Sequence, residues 1–221
     1  MARLPRLCLA GQAHWLIQRA HPGSRVFVDD ADRALYLAAL QTVAVSEQVR
    51  IHAYALLDAE VQLLATPATV LGLSRLMQAL GRRYVSAHHR KYGGSGTLWD
   101  GRFRCAVLQA GATLLDVMCL LDGGSADPMA TSLAHHSGEC PAPWLADPPE
   151  LWRLGNTPFD RQGAWRKRVA EGLPTARAAA LRAAAWGGWA VGSASFAAEV
   201  STAAARPALP RARGRPPRIR P

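Results

Sequence analysis

The sequence predicts an α+β fold with a ferredoxin-like core: an antiparallel sheet with helices on one face. Three observations predict it. Short apolar runs alternate with helical patterns in the order strand, helix, strand, strand, helix, strand, then helix. Only Asp58-Ala59 separates the second and third runs, so those two pair as a hairpin. Helix-length segments separate the first run from the second and the third from the fourth, which is the split βαβ order. Such a fold is common and does not by itself name a function.

The elements follow in order. His14 to Ala20 (HWLIQRA) reads as a strand entering a loop at Pro22-Gly23. Asp29-Asp30 are helix-start residues, and the helical pattern from Asp30 to about Val45 places Leu37, Leu40 and Ala44 on one face, with Tyr36 and Val43 beside them. Arg50 to Leu57 and Glu60 to Thr66 are antiparallel partners, the second ended by Pro67. Val70, Leu73, Met77, Leu80 and Tyr84 recur at spacings of three and four, the stripe of a long helix ended by Gly93-Gly94. Gly96 to Leu108 contains the fourth strand, and Thr113 to Asp122 is a short helix. These make a core over residues 1–122, followed by a Pro-, Gly-, His- and Trp-rich linker at 123–150 and a small helical extension at 151–205. The last stretch, 206–221, has no acid and almost no apolar residue, so it cannot bury a core and is expected to be disordered alone.

The 221 residues carry 49% hydrophobic and 19% charged side chains, the balance of a globular chain. The 26 basic against 16 acidic residues leave a formal charge of +10, and Lys91 and Lys167 are the only lysines. That excess favours polyanionic partners, because neutralised phosphates release counterions. Cys8, Cys105, Cys119 and Cys140 lie far apart with no CxxC pair, so they read as reduced and mostly buried. The alanine-rich stretch from Ala178 to Val200 carries Arg182, Glu199 and several glycines and serines, and is rejected as a membrane span. A cytoplasmic, nucleoid-associated protein is expected.

Several stretches resemble the REP-associated tyrosine transposases, a branch of the HUH nucleases. MARLPRL followed by HWLIQRA resembles the opening of that family; RIHAYALLD and LLATP resemble its central hairpin. GLSRLMQALGRRYV and YGGSGTLWDGRFR resemble its long helix and the next strand, and LGNTPFDRQ, WAVGSASF and RGRPPR resemble the tail of its longer members. The resemblance implies a ferredoxin-like fold, cleavage of single-stranded DNA near hairpins, a divalent ion held by two histidines, a tyrosine nucleophile, and pairing as a dimer.

This sequence departs from that pattern at the chemistry. The hairpin is expected to end like NHVHLL but reads Ala59-Glu60-Val61-Gln62-Leu63-Leu64, so Glu60 and Gln62 stand at the two histidine positions. Residues i and i+2 of a strand share a face, so both could address one ion, but Gln is a neutral, weak ligand. The family's tyrosine sits in a segment like RYIELNPVRAG. The corresponding stretch is Cys119-Leu120-Leu121-Asp122-Gly123-Gly124, with Leu120 at the tyrosine's place and a shortened chain before Ser132. The leading expectation is therefore a DNA-binding relative without strand cleavage and with no cofactor. The rival is an active transposase or nickase with magnesium or manganese on Glu60 and Gln62 and with Tyr84 or Tyr92 as nucleophile.

Arg75, Arg82, Arg83, Arg90 and Lys91 on the long helix, with Arg102 and Arg104, are the expected contacts to a DNA backbone, and Trp99 and Phe103 could add stacking. Arg213 and Arg215 in a GRP core resemble an AT-hook, which lays an extended chain in the minor groove of a duplex. His88-His89, and His135-His136 with Cys140, match no standard metal spacing, and His52 reads as a satisfied sheet residue.

Overall fold

Apolar residues on alternate positions give a strand one buried face; apolar residues on nearly every position demand cover on both. The strands here are of the second kind. The computed structural model describes residues 6–210. Strands β1 (His14–Arg19), β2 (Val49–Leu57), β3 (Glu60–Pro67) and β4 (Arg104–Val107) form an antiparallel sheet in the order β2-β3-β1-β4. With helices α1 (Asp30–Ser46) and α2 (Gly72–Tyr92) as the crossovers, this is the split βαβ arrangement.

The two crossover helices cover one face. There Leu16, Tyr54, Leu56, Val61 and Leu63 meet Tyr36, Leu40, Leu76, Leu80 and Tyr84 in one buried cluster. Asp29 caps α1: its carboxylate accepts from Asp32 N at 3.0 Å, and Asp32 answers from the backbone of Asp29 and Val28. Tyr84 is core, as its spacing predicts; its hydroxyl donates to the Val26 carbonyl at 2.6 Å and its ring meets Tyr36 and Phe27. Val70, expected on the apolar stripe, precedes α2 and is exposed. The helix starts only at Gly72, which fits tightly against Pro67 and the Glu47 carbonyl.

The other face is covered as well. Trp15, Ile17, Ala53, Ala55 and Leu64 point there and pack beneath α3 (Ala112–Asp122), α6 (Pro158–Glu171) and α7 (Thr175–Gly187). Trp165 of α6 and Leu181 of α7 are buried in that cluster. Helix α6 begins at a capping box of Thr157 and Asp160 with Pro158 in its first turn.

Both sheet edges are occupied in part. Residues 130–132 run antiparallel to β2: Leu56 N donates to Ala130 O at 2.7 Å and Ser132 N to Tyr54 O at 3.2 Å. This leads into α4 (Leu133–His136), a turn of helix that the sequence pattern does not reveal, and then to α5 (Pro149–Trp152). On the opposite edge Val191 pairs with the end of β4, and α8 (Ala194–Ala203) packs Phe196 and Val200 against Leu7 and Val107. The Arg104–Cys105 end of β4 lies outside that pairing; the end of α7 approaches it there, and a Cβ added at Gly188 would lie 3.5 Å from Cys105 O.

Candidate functional site

Glu60 and Gln62 stand on the second face with Leu64, as the two-residue repeat of β3 requires. Their polar atoms are already engaged. Trp15 Nε1 donates to Gln62 Oε1 at 3.1 Å, Gln62 Nε2 donates to Glu60 Oε1 at 2.6 Å, and Arg19 Nε donates to the other Glu60 oxygen. The Arg19 guanidinium lies over the ring of Trp186, 4.0 Å from its centre, and Arg104 lies 4.9 Å from the same ring. A hard divalent cation wants several oxygen ligands and net negative charge. One carboxylate already paired with arginine, plus one neutral amide, does not fit it.

Leu120 is half-buried on α3 and packs into the same second-face cluster. The three positions that the resemblance assigns to metal ligands and nucleophile therefore share one side of the sheet. None of the four tyrosines is there. Tyr36, Tyr54 and Tyr84 are buried in the first-face core. Burial raises the pKa of the Tyr54 phenol to about 12 and pushes Tyr84 higher still. Tyr92, at the end of α2, is exposed, and its hydroxyl donates to Asp32 at 2.8 Å and Asp29 at 3.3 Å. Two carboxylates beside a phenol repel both its ionised form and an approaching phosphate.

The expected DNA contacts divide between two surfaces. Arg75, Arg82, Arg83 and Arg90 are exposed on the outer side of α2 and make no ion pair among the described residues. Lys91 differs: its ammonium is bound by Asp29 at 2.7 Å and Asp32 at 2.8 Å, so its charge is already paired within the chain. Arg102 and Arg104 stand elsewhere, on a groove of about 350 Å³ at the β4 edge. Arg6 and Arg206 join them there, distant in sequence and not anticipated from it. Arg6 stacks on Phe103 at 3.8 Å and donates from Nε to the Phe103 carbonyl. Burial, and then the nearby Arg102 charge, lower the pKa of the Arg6 guanidinium. Asp100 is the one acid on the groove, and it makes no ion pair among the described residues.

The aromatic rings open on the groove are not the anticipated ones; Phe103 borders it, but its ring lies under Arg6. Trp99 and Phe103 are 6% and 7% exposed and belong to the first-face core, so they offer no open ring for stacking. Trp186 and Trp189, both half-buried, line the groove instead. Gly187-Gly188 between them makes this possible. Gly188 closes α7 in the left-handed region, at φ 70°, turning the chain back. The Trp189 ring then lies against Gly187, where a Cβ would come within 2.3 Å of it. Arg213 and Arg215 lie outside the described residues.

His135 and His136 come together with Asp147 rather than Cys140, with ligand atoms of all three within 4.8 Å of one another. All four histidine nitrogens have hydrogen-bond partners, one of them Asp147 itself. His135 Nδ1 accepts from Ala142 N at 2.9 Å, and its Nε2 faces Asp147 at 3.3 Å. His136 Nδ1 meets Asp122 at 2.6 Å, and its Nε2 meets the His52 carbonyl at 3.0 Å. Both His136 partners are acceptors, so the ring donates from both nitrogens and is an imidazolium. Burial, the largest influence, disfavours that charge, but Asp122, with Asp147 and the His52 carbonyl, outweighs it and the His136 pKa is raised. Asp122 also accepts from Ser132 Oγ at 2.5 Å and Trp165 Nε1 at 2.8 Å. This hub ties α3, α4 and α6 to β2. His52 is satisfied as expected, by Thr66 at 2.8 Å and the Ala146 carbonyl at 2.6 Å.

No family model matches the sequence, and no curated protein is significantly similar to it. Among solved structures, a REP-associated tyrosine transposase bound to a REP hairpin matches with a TM-score of 0.51 at 12% identity, covering 68% of this chain and 93% of that one. A chain from Deinococcus radiodurans described as a transposase matches at TM-score 0.36 and 23% identity, over 47% of this chain and 84% of that one, a likeness too partial to carry an argument. The fold of this chain is thus the fold of a REP-associated tyrosine transposase. No helix among the described residues is long and apolar enough to cross a membrane.

Proposed function

We propose that this chain is a transposase-like protein that binds single-stranded or hairpin DNA and does not cut it. The observation that carries the reading is the second face of the sheet. The positions that the resemblance assigns to metal and nucleophile hold Glu60, Gln62 and Leu120, and all four tyrosines lie elsewhere. Covalent attack and charge stabilisation are separate contributions to phosphoryl transfer, and each is worth orders of magnitude in rate. DNA as the partner is supported by the basic excess and by the fold neighbour, whose structure holds a REP hairpin. The arginine-rich end, with Arg213 and Arg215, would add affinity for duplex flanks through the minor groove. A nucleoid location and a dimer fit the same reading.

The rival, a metal-dependent nickase, needs Glu60 released from Arg19 and a phenol brought to the second face. Incubation with end-labelled hairpin DNA and manganese, resolved on denaturing and native gels, decides between the two. Shifted but intact DNA is the expected result. A nick or a covalent adduct, abolished by Tyr92→Phe or Tyr84→Phe, would overturn the proposal.

A further inference from the structure

The groove at the β4 edge combines two features that the α2 surface lacks: a concave wall of cations and open aromatic rings. Four arginines, Arg6, Arg102, Arg104 and Arg206, line it against one acid, Asp100. Arg102 and Arg104 are exposed and have no carboxylate partner among the described residues, so their charge is available to an incoming anion. Guanidinium groups suit phosphate because their planar donors match two oxygens at once. Trp186 and Trp189 stand three residues apart across the Gly187-Gly188 turn, each partly open to solvent. A space of about 350 Å³ lies at the small end of ligand-binding clefts, the scale of one nucleotide rather than a helix.

We infer that this groove holds one nucleotide of an unpaired DNA strand, its phosphate on Arg102 and Arg104 and its base against Trp189. The strand must be unpaired because base faces in a duplex are covered by their neighbours, whereas an extruded or single-stranded base offers a free face for stacking. Arg6 and Arg206 keep the back of the groove positive. Trp186, already in contact with Arg19 and Arg104, connects the groove to the Arg19–Glu60 pair on the sheet. A strand lying in the groove would therefore run toward the second face. The inference rests on the DNA-binding reading and adds to it the place and the kind of strand.

Fluorescence anisotropy with a labelled oligothymidylate, in the full chain, tests it across a salt series. The parent protein should bind the single strand more tightly than a duplex of equal length. Arg102→Ala with Arg104→Ala should weaken binding at least tenfold at low salt and flatten the slope of log K against log salt by about 0.7, the value for one phosphate of a single strand. Trp189→Ala should weaken binding by about tenfold, with the slope unchanged. Arg82→Ala with Arg83→Ala on α2 should change less than the groove pair. Circular dichroism melts identify any variant that has lost its fold, and Trp189→Phe, which keeps a ring, should restore most of the affinity. A parent that binds no DNA sinks the DNA-binding reading itself. A parent that binds while the groove variants bind equally well sinks only the groove. Thymidine monophosphate should compete better than inorganic phosphate; equal competition would mean a plain anion site and would overturn the inference.

Discussion

Replacing Asp122 by asparagine removes one charge and little volume from the most connected buried polar group of the second face. Asp122 is fully buried and receives hydrogen bonds from Ser132 at 2.5 Å, His136 at 2.6 Å and Trp165 at 2.8 Å. An asparagine has one acceptor oxygen and one NH2 group. If its oxygen faces His136 and Trp165, the imidazolium keeps its hydrogen bond but loses its counter-charge. If its NH2 group faces them, His136 must give up a proton and the Trp165 N–H points at another donor. Breaking a buried ion pair on one side costs about 3–5 kcal/mol. For a chain of this size, with ~2–4 °C per kcal/mol, Asp122→Asn should lower the melting temperature by roughly 10 °C. The difference should also depend on pH. The folded-state pKa of His136 is raised, so its contribution is complete below the unfolded value of about 6.5 and falls as pH rises toward and through the folded value. The slope is about 1.4 kcal/mol per pH unit in that window, present in the parent and absent in the variant. Urea unfolding of both proteins from pH 5 to pH 9 measures it. A variant within about 1 kcal/mol of the parent at pH 6, roughly the error of such fits, would refute the hub as a source of stability. A gap that does not change with pH would refute the charge assigned to His136.

Two further perturbations act elsewhere in the fold. His14 is buried and neutral, accepting from Leu9 N at 3.1 Å and donating to the Gln12 carbonyl at 2.8 Å; burial lowers its pKa to about 4. Its contribution is present above the unfolded value of about 6.5 and is lost as pH falls toward the folded value, up to ~3 kcal/mol; His14→Gln should remove that part of the acid sensitivity in urea titrations, and equal acid slopes in the two proteins would count against it. At the α7 end, Gly188→Ala should cost about 1 kcal/mol for the left-handed backbone, with room for the methyl group 3.5 Å from Cys105 O. Gly187→Ala should instead displace the Trp189 ring and weaken single-strand binding, so anisotropy and melting should rank the two variants in opposite order.

The parts of this fold that were legible in the sequence are those set by neighbours along the chain. Asp58-Ala59 predicted the β2–β3 hairpin, Asp29 the start of α1, and the spacing of Leu73, Met77, Leu80 and Tyr84 the buried stripe of α2. The parts that were not legible depend on distant partners. Residues 130–132 gain order by pairing with β2, and α4 by burying His136 against Asp122 and the His52 carbonyl, contacts with no local period. The groove draws on residues 6, 102–104, 186–189 and 206, so no window of sequence contains it. Trp99 and Phe103 looked suited to stacking because arginines flank them, but flanking charge does not set burial. Both rings turn into the core, and the tryptophans that remain open, Trp186 and Trp189, take their places from the Gly187-Gly188 turn.

The Arg19–Glu60 pair gives the second face a consistent electrostatic logic under the proposed function. A bound divalent ion attracts a phosphate and also polarises it toward attack, and only the second action is chemistry. A guanidinium keeps its charge at any pH a protein survives. Arg19 therefore places a permanent cation beside the positions that the resemblance assigns to metal ligands, and Glu60 holds it in orientation against Trp186. Arg104 extends the same positive surface to the groove. Attraction of a DNA backbone needs only such fixed charge, whereas cleavage needs an ion that can be approached on an open side and a nucleophile within reach. Under the proposed reading, with Gln62 bonded to Trp15 and Leu120 at the position that the resemblance assigns to the nucleophile, the face would keep what binding demands and lack what cutting demands.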